Sequence, residues 1–85
     1  MRDFFIKLGT ITFRQYILVE IRKERKDGTA LVRVYVEKLG LEGVGRTLEE
    51  AIDDLEQRIT EIMYEGKDLE KIRLINEVVE SIGGD

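Results

Sequence analysis

The stretch Gly43-Val44-Gly45-Arg46-Thr47-Leu48-Glu49-Glu50-Ala51 marks the change from a β-type segment to the longest predicted helix. Thr47 is typical of an N-cap, and Glu50 three residues later completes a capping box. The sequence predicts a helix over 47–65, ended by Gly66. Its apolar residues keep helical spacing on one stripe, formed by Leu48, Ala51, Ile52, Leu55, Ile59, Ile62 and Met63.

The residues before this helix predict a β-hairpin over 10–38. Apolar side chains alternate from Thr10 to Arg25 and again from Ala30 to Lys38, and Asp27-Gly28 between them is a strong hairpin signal. A two-residue loop pairs Lys26 with Thr29, Ile21 with Val34 and Val19 with Val36, which places the two Val/Ile rows on one face. A short third strand is expected over 41–44.

The two ends of the chain predict one further element each. Asp68 can cap a second helix over 68–82, whose apolar stripe is Leu69, Ile72, Ile75, Val79 and Ile82. Residues 1–9 fit either one helical turn lined by Phe4, Phe5 and Leu8 or a short edge strand, and the helical interpretation is preferred.

These elements predict one α+β domain over residues 1–85. We expect a three-stranded antiparallel sheet in the order β-β-β-α-α, with a short N-terminal helix as an option. The long helix packs on the Val/Ile face of the sheet, and the second helix completes the core or a dimer.

Composition excludes several kinds of chemistry. The 85 residues include no Cys and no His, and Ser81 is the only serine, so disulfides, thiolate metal sites and a Ser/His/Asp triad are excluded. The sequence contains no run of about 18 apolar residues, which is the length that a membrane-spanning helix needs. We expect a cytoplasmic, non-enzymatic protein without cofactor or metal, and the charge-rich, proline-free composition is typical of thermophiles.

Charge is segregated along the chain, although the net charge is only −4. Between residues 14 and 38 seven basic residues stand against four acidic ones, whereas residues 48–65 contain seven acidic residues and a single base. Charge segregation of this kind affects which partners a protein binds rather than how it folds. The acidic helix is expected to face a basic protein through Glu49, Asp53, Glu56 and Glu61.

The face of the hairpin opposite the Val/Ile row is unusually apolar for a solvated surface. We expect the second helix, a dimer partner or another protein to cover part of it. The residues proposed for this self-association or partner patch are Tyr16, Leu18, Leu31 and Tyr35.

The hairpin also carries a basic cluster that can lie on nucleic-acid phosphates. Glu24 and Asp27 interrupt it, and a solvated hairpin tip is the alternative. The residues predicted for this contact are Arg22, Lys23, Arg25, Lys26 and Arg33.

Two further patterns favour structural roles. Gly43-x-Gly45-x-Thr47 has no P-loop lysine after it, so tight-turn glycines before a helix are expected rather than a phosphate site. Glu20 and Glu37 are predicted on the sheet face opposite the helix, so they are not expected to join helix carboxylates at a metal.

The segment GLEGVGRTLEEAIDDLEQRITEIM, with the hairpin before it, resembles the HicB-like antitoxin family over roughly residues 15–65. Members of that family have a β-β-β-α core in which a Gly-x-Thr-x-Glu-Glu-Ala segment begins the helix. The resemblance implies a non-catalytic domain that self-associates and neutralises a small RNA-cleaving toxin. It does not extend to the DNA-binding segment of full-length antitoxins.

The same segment is similar to the C-terminal half of a double-stranded RNA-binding domain. In that family lysines at the helix start hold phosphates. Glu49 and Glu50 occupy those places here. The resemblance therefore implies a similar topology but not an RNA-binding surface.

The sequence therefore predicts a small protein-binding module, antitoxin-like or an inhibitor of a host protein, that occludes the surface of a protein partner and forms a homodimer. The alternative is a nucleic-acid-binding protein that uses the basic hairpin.

Overall fold

The computed structural model describes residues 5–83 as an α+β fold with six strands and two helices. The strands are β1 (Ile6–Leu8), β2 (Ile11–Phe13), β3 (Val19–Lys26), β4 (Thr29–Val36), β5 (Leu41–Gly45) and β6 (Val79–Ile82). The helices are α1 (Leu48–Glu65) and α2 (Leu69–Val78). They form two antiparallel sheets, ordered β1-β2-β6 and β3-β4-β5.

The predicted hairpin turn is confirmed in its register but not in its full extent. Lys26 pairs with Thr29, Ile21 with Val34 and Val19 with Val36. Asp27 and Gly28 have φ values of 54° and 77°, as a type I′ turn requires. The hairpin, however, begins at Val19 rather than at Thr10.

The single sheet predicted from the sequence is wrong, because the chain leaves one sheet for the other at residues 14–18. After β2 the backbone N–H of Arg14 donates to the carbonyl of Val78 at 2.7 Å. That bond ties the end of β2 to the end of α2 instead of continuing the strand. Residues 6–13 consequently form a separate hairpin of β1 and β2.

Both ends of the chain also depart from the preferred predictions. Residues 6–8 form the edge strand β1, so the edge-strand alternative holds there; Phe4 lies outside the described residues. α2 is capped by Asp68 as predicted but ends at Val78, and β6 then pairs with β2. This pairing places Val79 opposite Phe13 and Ile82 opposite Ile11, which gives the backbone of β2 a second partner.

The capping box at the start of α1 is present. The Thr47 hydroxyl accepts from the N–H of Glu50 at 3.1 Å, and the Glu50 carboxylate accepts from the N–H of Arg46 at 3.1 Å. Gly66 ends the helix in the left-handed conformation, with φ 68°. Thr47, Asp68 and Gly66 therefore mark helix ends as the sequence predicts.

α1 lies directly against the backbone of β5, and two glycines make this approach possible. A Cβ on Gly43 would stand 2.0 Å from the Ala51 carbonyl oxygen, and one on Gly45 would stand 2.6 Å from the Ala51 nitrogen. Gly43 and Gly45 are thus residues of a strand that leave room for a helix, not residues of a tight turn. The predicted packing of the helix on the Val/Ile face is confirmed by the buried side chains of Val32, Val34, Val36, Ala51, Ile52, Leu55 and Ile59.

One hydrophobic core joins the two sheets. Ile11 and Phe13 from the first sheet are fully buried with Leu55 and Ile59 of α1, and Ile75 and Val78 of α2 join the same cluster. No helix within residues 5–83 is long and apolar enough to cross a membrane.

Candidate functional site

The outer face of α1 carries a shallow acidic depression of about 540 Å³. Helical geometry brings residues spaced by three and four positions to one side, so side chains from successive turns of α1 line this depression. The depression is lined by Asp53, Glu56, Gln57, Thr60, Glu61, Tyr64 and Glu65.

Tyr64 is the aromatic residue of this acidic face and is 91% exposed. The charges around it have few ion-pair partners among the described residues. The only basic residue of α1, Arg58, turns to Asp54, with 3.1 Å between its Nε and the carboxylate. None of the four carboxylates that line the depression forms an ion pair within residues 5–83.

Two of these carboxylates accept hydrogen bonds that hold them in place. Glu56 is half-buried and accepts from the hydroxyl of Thr10, which links α1 to the β1–β2 turn. Glu61 accepts from the side-chain amide of Gln57 at 3.4 Å, a long bond. Glu56 is therefore the carboxylate of this face that is tied to another element of the fold.

Glu49 belongs to a neighbouring, more apolar depression. It lines a volume of about 470 Å³ with Gly9, Thr10, Leu48, Ile52 and Asp53. Asp53 lies in both depressions, so they form one continuous surface. The structure thus brings together all four acidic residues that the sequence predicts, Glu49, Asp53, Glu56 and Glu61.

The predicted patch of Tyr16, Leu18, Leu31 and Tyr35 is divided in the structure. Leu18 is 71% exposed at one end of the hairpin, and Tyr35 lies diagonal to it. Tyr16 precedes them in the 14–18 segment and lines a depression with Leu18. Leu31 lies opposite Glu24, six residues further along β3 than Leu18, which is about 20 Å at the rise of a strand.

Charged residues fill the space between the two ends of this outer face. Arg33 pairs with Glu24 on β3 and with Glu42 on β5, so one guanidinium joins three strands. Arg22 pairs with Glu20 on the same strand, with 2.6 Å between its Nε and the carboxylate. The hydrogen bond from Arg33 holds the pKa of Glu24 below its ordinary value and raises that of Arg33.

The predicted basic cluster is split between the two faces of the hairpin. Alternation along β3 places Arg22 and Lys26 on the outer face with Arg33, whereas Lys23 and Arg25 point to the opposite face. The second pair faces a groove of about 480 Å³ between the hairpin and the start of α1. Arg46 also lines this groove, and the three cations form no ion pair within residues 5–83.

The carboxylates of the sheet and of α1 do not meet. Asp54 accepts from the Val44 N–H, Glu50 from the Arg46 N–H, and Glu20 is held by Arg22. Within residues 5–83 no group of three or more acidic residues is arranged to hold a metal ion.

Sequence reasoning missed Tyr64 and Arg46 as surface residues of these sites. Tyr64 falls outside the apolar stripe but keeps the four-three-four spacing of Asp53, Gln57, Thr60 and Tyr64, a signal available in the sequence. Arg46 precedes the N-cap, and nothing local places it beside the hairpin.

No protein-family model, curated protein or solved structure matches this chain.

Proposed function

We propose that the protein is a small, non-enzymatic binding module of the cytoplasm that occludes a basic surface of a protein partner. The observation that carries the proposal is the exposed Tyr64 within the acidic face of α1. Its partner is then a protein with a cluster of Lys and Arg around an apolar or aromatic pocket.

The energetics of interfaces support this use of the face. Exposed tyrosines that enter a pocket of the partner are frequent hot spots, each contributing more than 2 kcal/mol, or roughly thirtyfold in affinity. Glu61 and Glu65 are the rim charges nearest to Tyr64 along α1, and Asp53 lines the far end of the same depression. Rim charges mainly speed association and select partners of opposite charge.

The resemblance to HicB-like antitoxins adds a class of partner to this proposal. A small RNA-cleaving toxin binds polyanionic RNA, and the RNA-binding surface of such an enzyme is basic. The acidic face of α1 would cover that surface and block RNA. An inhibitor that acts on a basic host protein would use the same chemistry.

NMR mapping on the ¹⁵N-labelled chain tests the site directly. The probe is a lysine-rich helical peptide with one exposed leucine, and its matched control has glutamate for every lysine. We expect the lysine peptide to shift amide resonances of residues 53–65, with the glutamate peptide leaving them unchanged. The effect should weaken as salt is added.

Two variants separate this site from the rest of the acidic surface. Tyr64→Ala should weaken binding of the lysine peptide. Glu61→Gln should reduce both the affinity for that peptide and the salt dependence of its binding. Glu80→Gln removes a carboxylate from β6, where it pairs with Arg14, and should have no effect. Shifts that fall outside α1, or that survive Tyr64→Ala and Glu61→Gln unchanged, would contradict the proposal.

The second candidate function is nucleic-acid binding in the groove between the hairpin and α1. The observation that favours it is the set of three cations, Lys23, Arg25 and Arg46, which have no ion-pair partner within residues 5–83. Glu49 and Glu50 follow closely on Arg46 and oppose this use. Three phosphate contacts would give a slope of log affinity against log salt of about −2 to −3.

Fluorescence anisotropy with a labelled single-stranded RNA of 16 nucleotides distinguishes the two candidates. If the groove binds RNA, Lys23→Ala, Arg25→Ala and Arg46→Ala should each flatten the salt slope by about one. Arg22→Ala and Arg33→Ala are matched controls on the other face and should have smaller effects. No binding at 20 mM salt would exclude the RNA function.

A further inference from the structure

Strand β3 is an open edge of its sheet. Among residues 5–83 it pairs with β4 alone, and seven of its eight residues are exposed. At the opposite edge α1 packs against β5, and the Asp54 carboxylate accepts the N–H of Val44. Within residues 5–83, no backbone hydrogen bond from a turn or loop is made to β3.

The direction of the unpaired backbone groups follows from the ladder. The Glu37 N–H donates to the Leu18 carbonyl, so Leu18 and then every second residue of β3 bonds to β4. The alternate residues turn their N–H and C=O groups away from the sheet. These are Val19, Ile21, Lys23 and Arg25.

We propose that this edge pairs with β3 of a second copy of the chain, antiparallel and centred on Ile21. The two three-stranded sheets then join into one sheet of six strands across a two-fold axis. Val19 of each copy lies opposite Lys23 of the other, and about six new backbone hydrogen bonds form.

Charge complementarity identifies the second copy as the occupant. The outer row of β3 alternates in sign, as Glu20, Arg22, Glu24 and Lys26. Antiparallel pairing centred on Ile21 places Glu20 opposite Arg22 of the second copy, and this contact occurs twice. A parallel, in-register pair would instead oppose like charges along the whole strand.

The exposed apolar residues select this register over its neighbour. Ile21 is 45% exposed although its row faces the core side, and pairing centred on it places the two isoleucines in contact. A shift of the centre to Lys23 would place the two lysines directly opposite each other, which is unfavourable. Leu18, 71% exposed, lies at the margin of the preferred pair.

Disulfide trapping tests the register, because the chain has no cysteine of its own. In the proposed dimer the two Cα atoms at position 21 are about 5.5 Å apart, within the range that a disulfide spans. Ile21→Cys should therefore form a cross-linked dimer under mild oxidation. Lys23→Cys is the matched control, since its two copies lie about 13 Å apart.

The rates of cross-linking decide between the registers. We expect Ile21→Cys to react at least about tenfold faster than Lys23→Cys, because only the former holds its two thiols within bonding distance. Equal rates, or faster reaction of Lys23→Cys, would overturn the proposal.

Charge reversal tests the non-covalent dimer by sedimentation equilibrium. Arg22→Glu creates two repulsive contacts with Glu20 and should raise the dimer Kd about tenfold. The double reversal Glu20→Arg with Arg22→Glu restores opposite charges and should return the Kd to the wild-type range. Circular dichroism checks that each variant is folded.

Two results would overturn the proposed dimer outright. One is a wild-type chain that stays monomeric at 1 mM, and the other is a double reversal no better than the single one. Neither result bears on the acidic face of α1, since Tyr64 and Glu61 lie on a different element. The failure of one proposal is thus distinguishable from the failure of the other.

Discussion

The carboxylate of Asp54 accepts a hydrogen bond from the backbone N–H of Val44 at 2.9 Å. This bond joins the middle of α1 to the edge of β5. It satisfies a strand N–H that has no neighbouring strand, and it also fixes the helix over the sheet. Burial alone would raise the pKa of Asp54, but the Val44 N–H and Arg58 outweigh it, so the pKa is lowered.

We predict that Asp54→Asn destabilises the fold at neutral pH by about 1–2 kcal/mol, since a bond to a charged acceptor is replaced by one to a neutral amide. Asp53→Asn is the matched control: its side chain is exposed, so little change is expected. Urea unfolding at pH 7 measures both free energies. Equal effects of the two variants would show that the Val44 bond contributes nothing specific.

The bond between Asp54 and Val44 also predicts that the stability of the fold decreases at acidic pH. A carboxyl whose pKa is lower in the folded chain stabilises the fold above its unfolded pKa of about 3.9. That contribution disappears as pH falls through the folded pKa. The difference in unfolding free energy between wild type and Asp54→Asn should therefore be full at pH 6 and shrink below pH 4, as measured by urea unfolding across this range.

Gly43→Ala should destabilise the protein more than a glycine-to-alanine change at a site with open space, such as Gly66. The added Cβ meets the Ala51 carbonyl oxygen at 2.0 Å and the Leu55 nitrogen at 2.6 Å, both backbone atoms of α1. The helix must move away from β5, and we expect a loss of about 3 kcal/mol or more.

Gly66→Ala is the control for that prediction, because a Cβ at Gly66 has open space around it. Its cost of about 1–2 kcal/mol arises from the left-handed conformation alone. Thermal unfolding followed by circular dichroism compares the two variants. A Gly43→Ala variant as stable as Gly66→Ala would contradict the close helix–strand approach.

Phe13→Ala should cost about 3–5 kcal/mol, because Phe13 is fully buried where β2, β6 and α1 meet and its removal leaves a cavity. Phe5→Ala removes the same side chain at a position that is 56% exposed and should have a small effect. Urea unfolding gives both values. If Phe13→Ala were as mild as Phe5→Ala, the first sheet would not share the core.

Local signals in the sequence predicted both helix starts, the end of α1 and the hairpin turn, because each depends on residues close in the chain. Thr47 with Glu50 specifies a cap by itself, and Asp27-Gly28 specifies its turn. The acidic face of α1 was predictable for the same reason, since Asp53 and Glu56 lie one turn apart and Glu61 follows on the same helix.

The division into two sheets depends on contacts between distant residues and was therefore missed. Gln15 was one local sign of an interrupted strand, because it places a polar side chain in the row of Ile11, Phe13 and Ile17. The strand β6 has no such signal. Val79 and Ile82 fit the stripe of a helix as well as a strand, and only the available edge of β2 selects the extended form.

The Arg33 bridge gives a final prediction, on titration rather than stability. The Arg33 hydrogen bond is the largest cause of the lowered pKa of Glu24, followed by its charge, while Arg22 contributes least among the nearby cations. We expect Arg33→Gln to move the pKa of Glu24 up to its ordinary range, and Arg22→Gln to move it much less. NMR titration of the Glu24 side-chain carboxyl measures both, and a Glu24 that titrates identically in wild type and Arg33→Gln would show that the bridge across β3, β4 and β5 is not formed in solution.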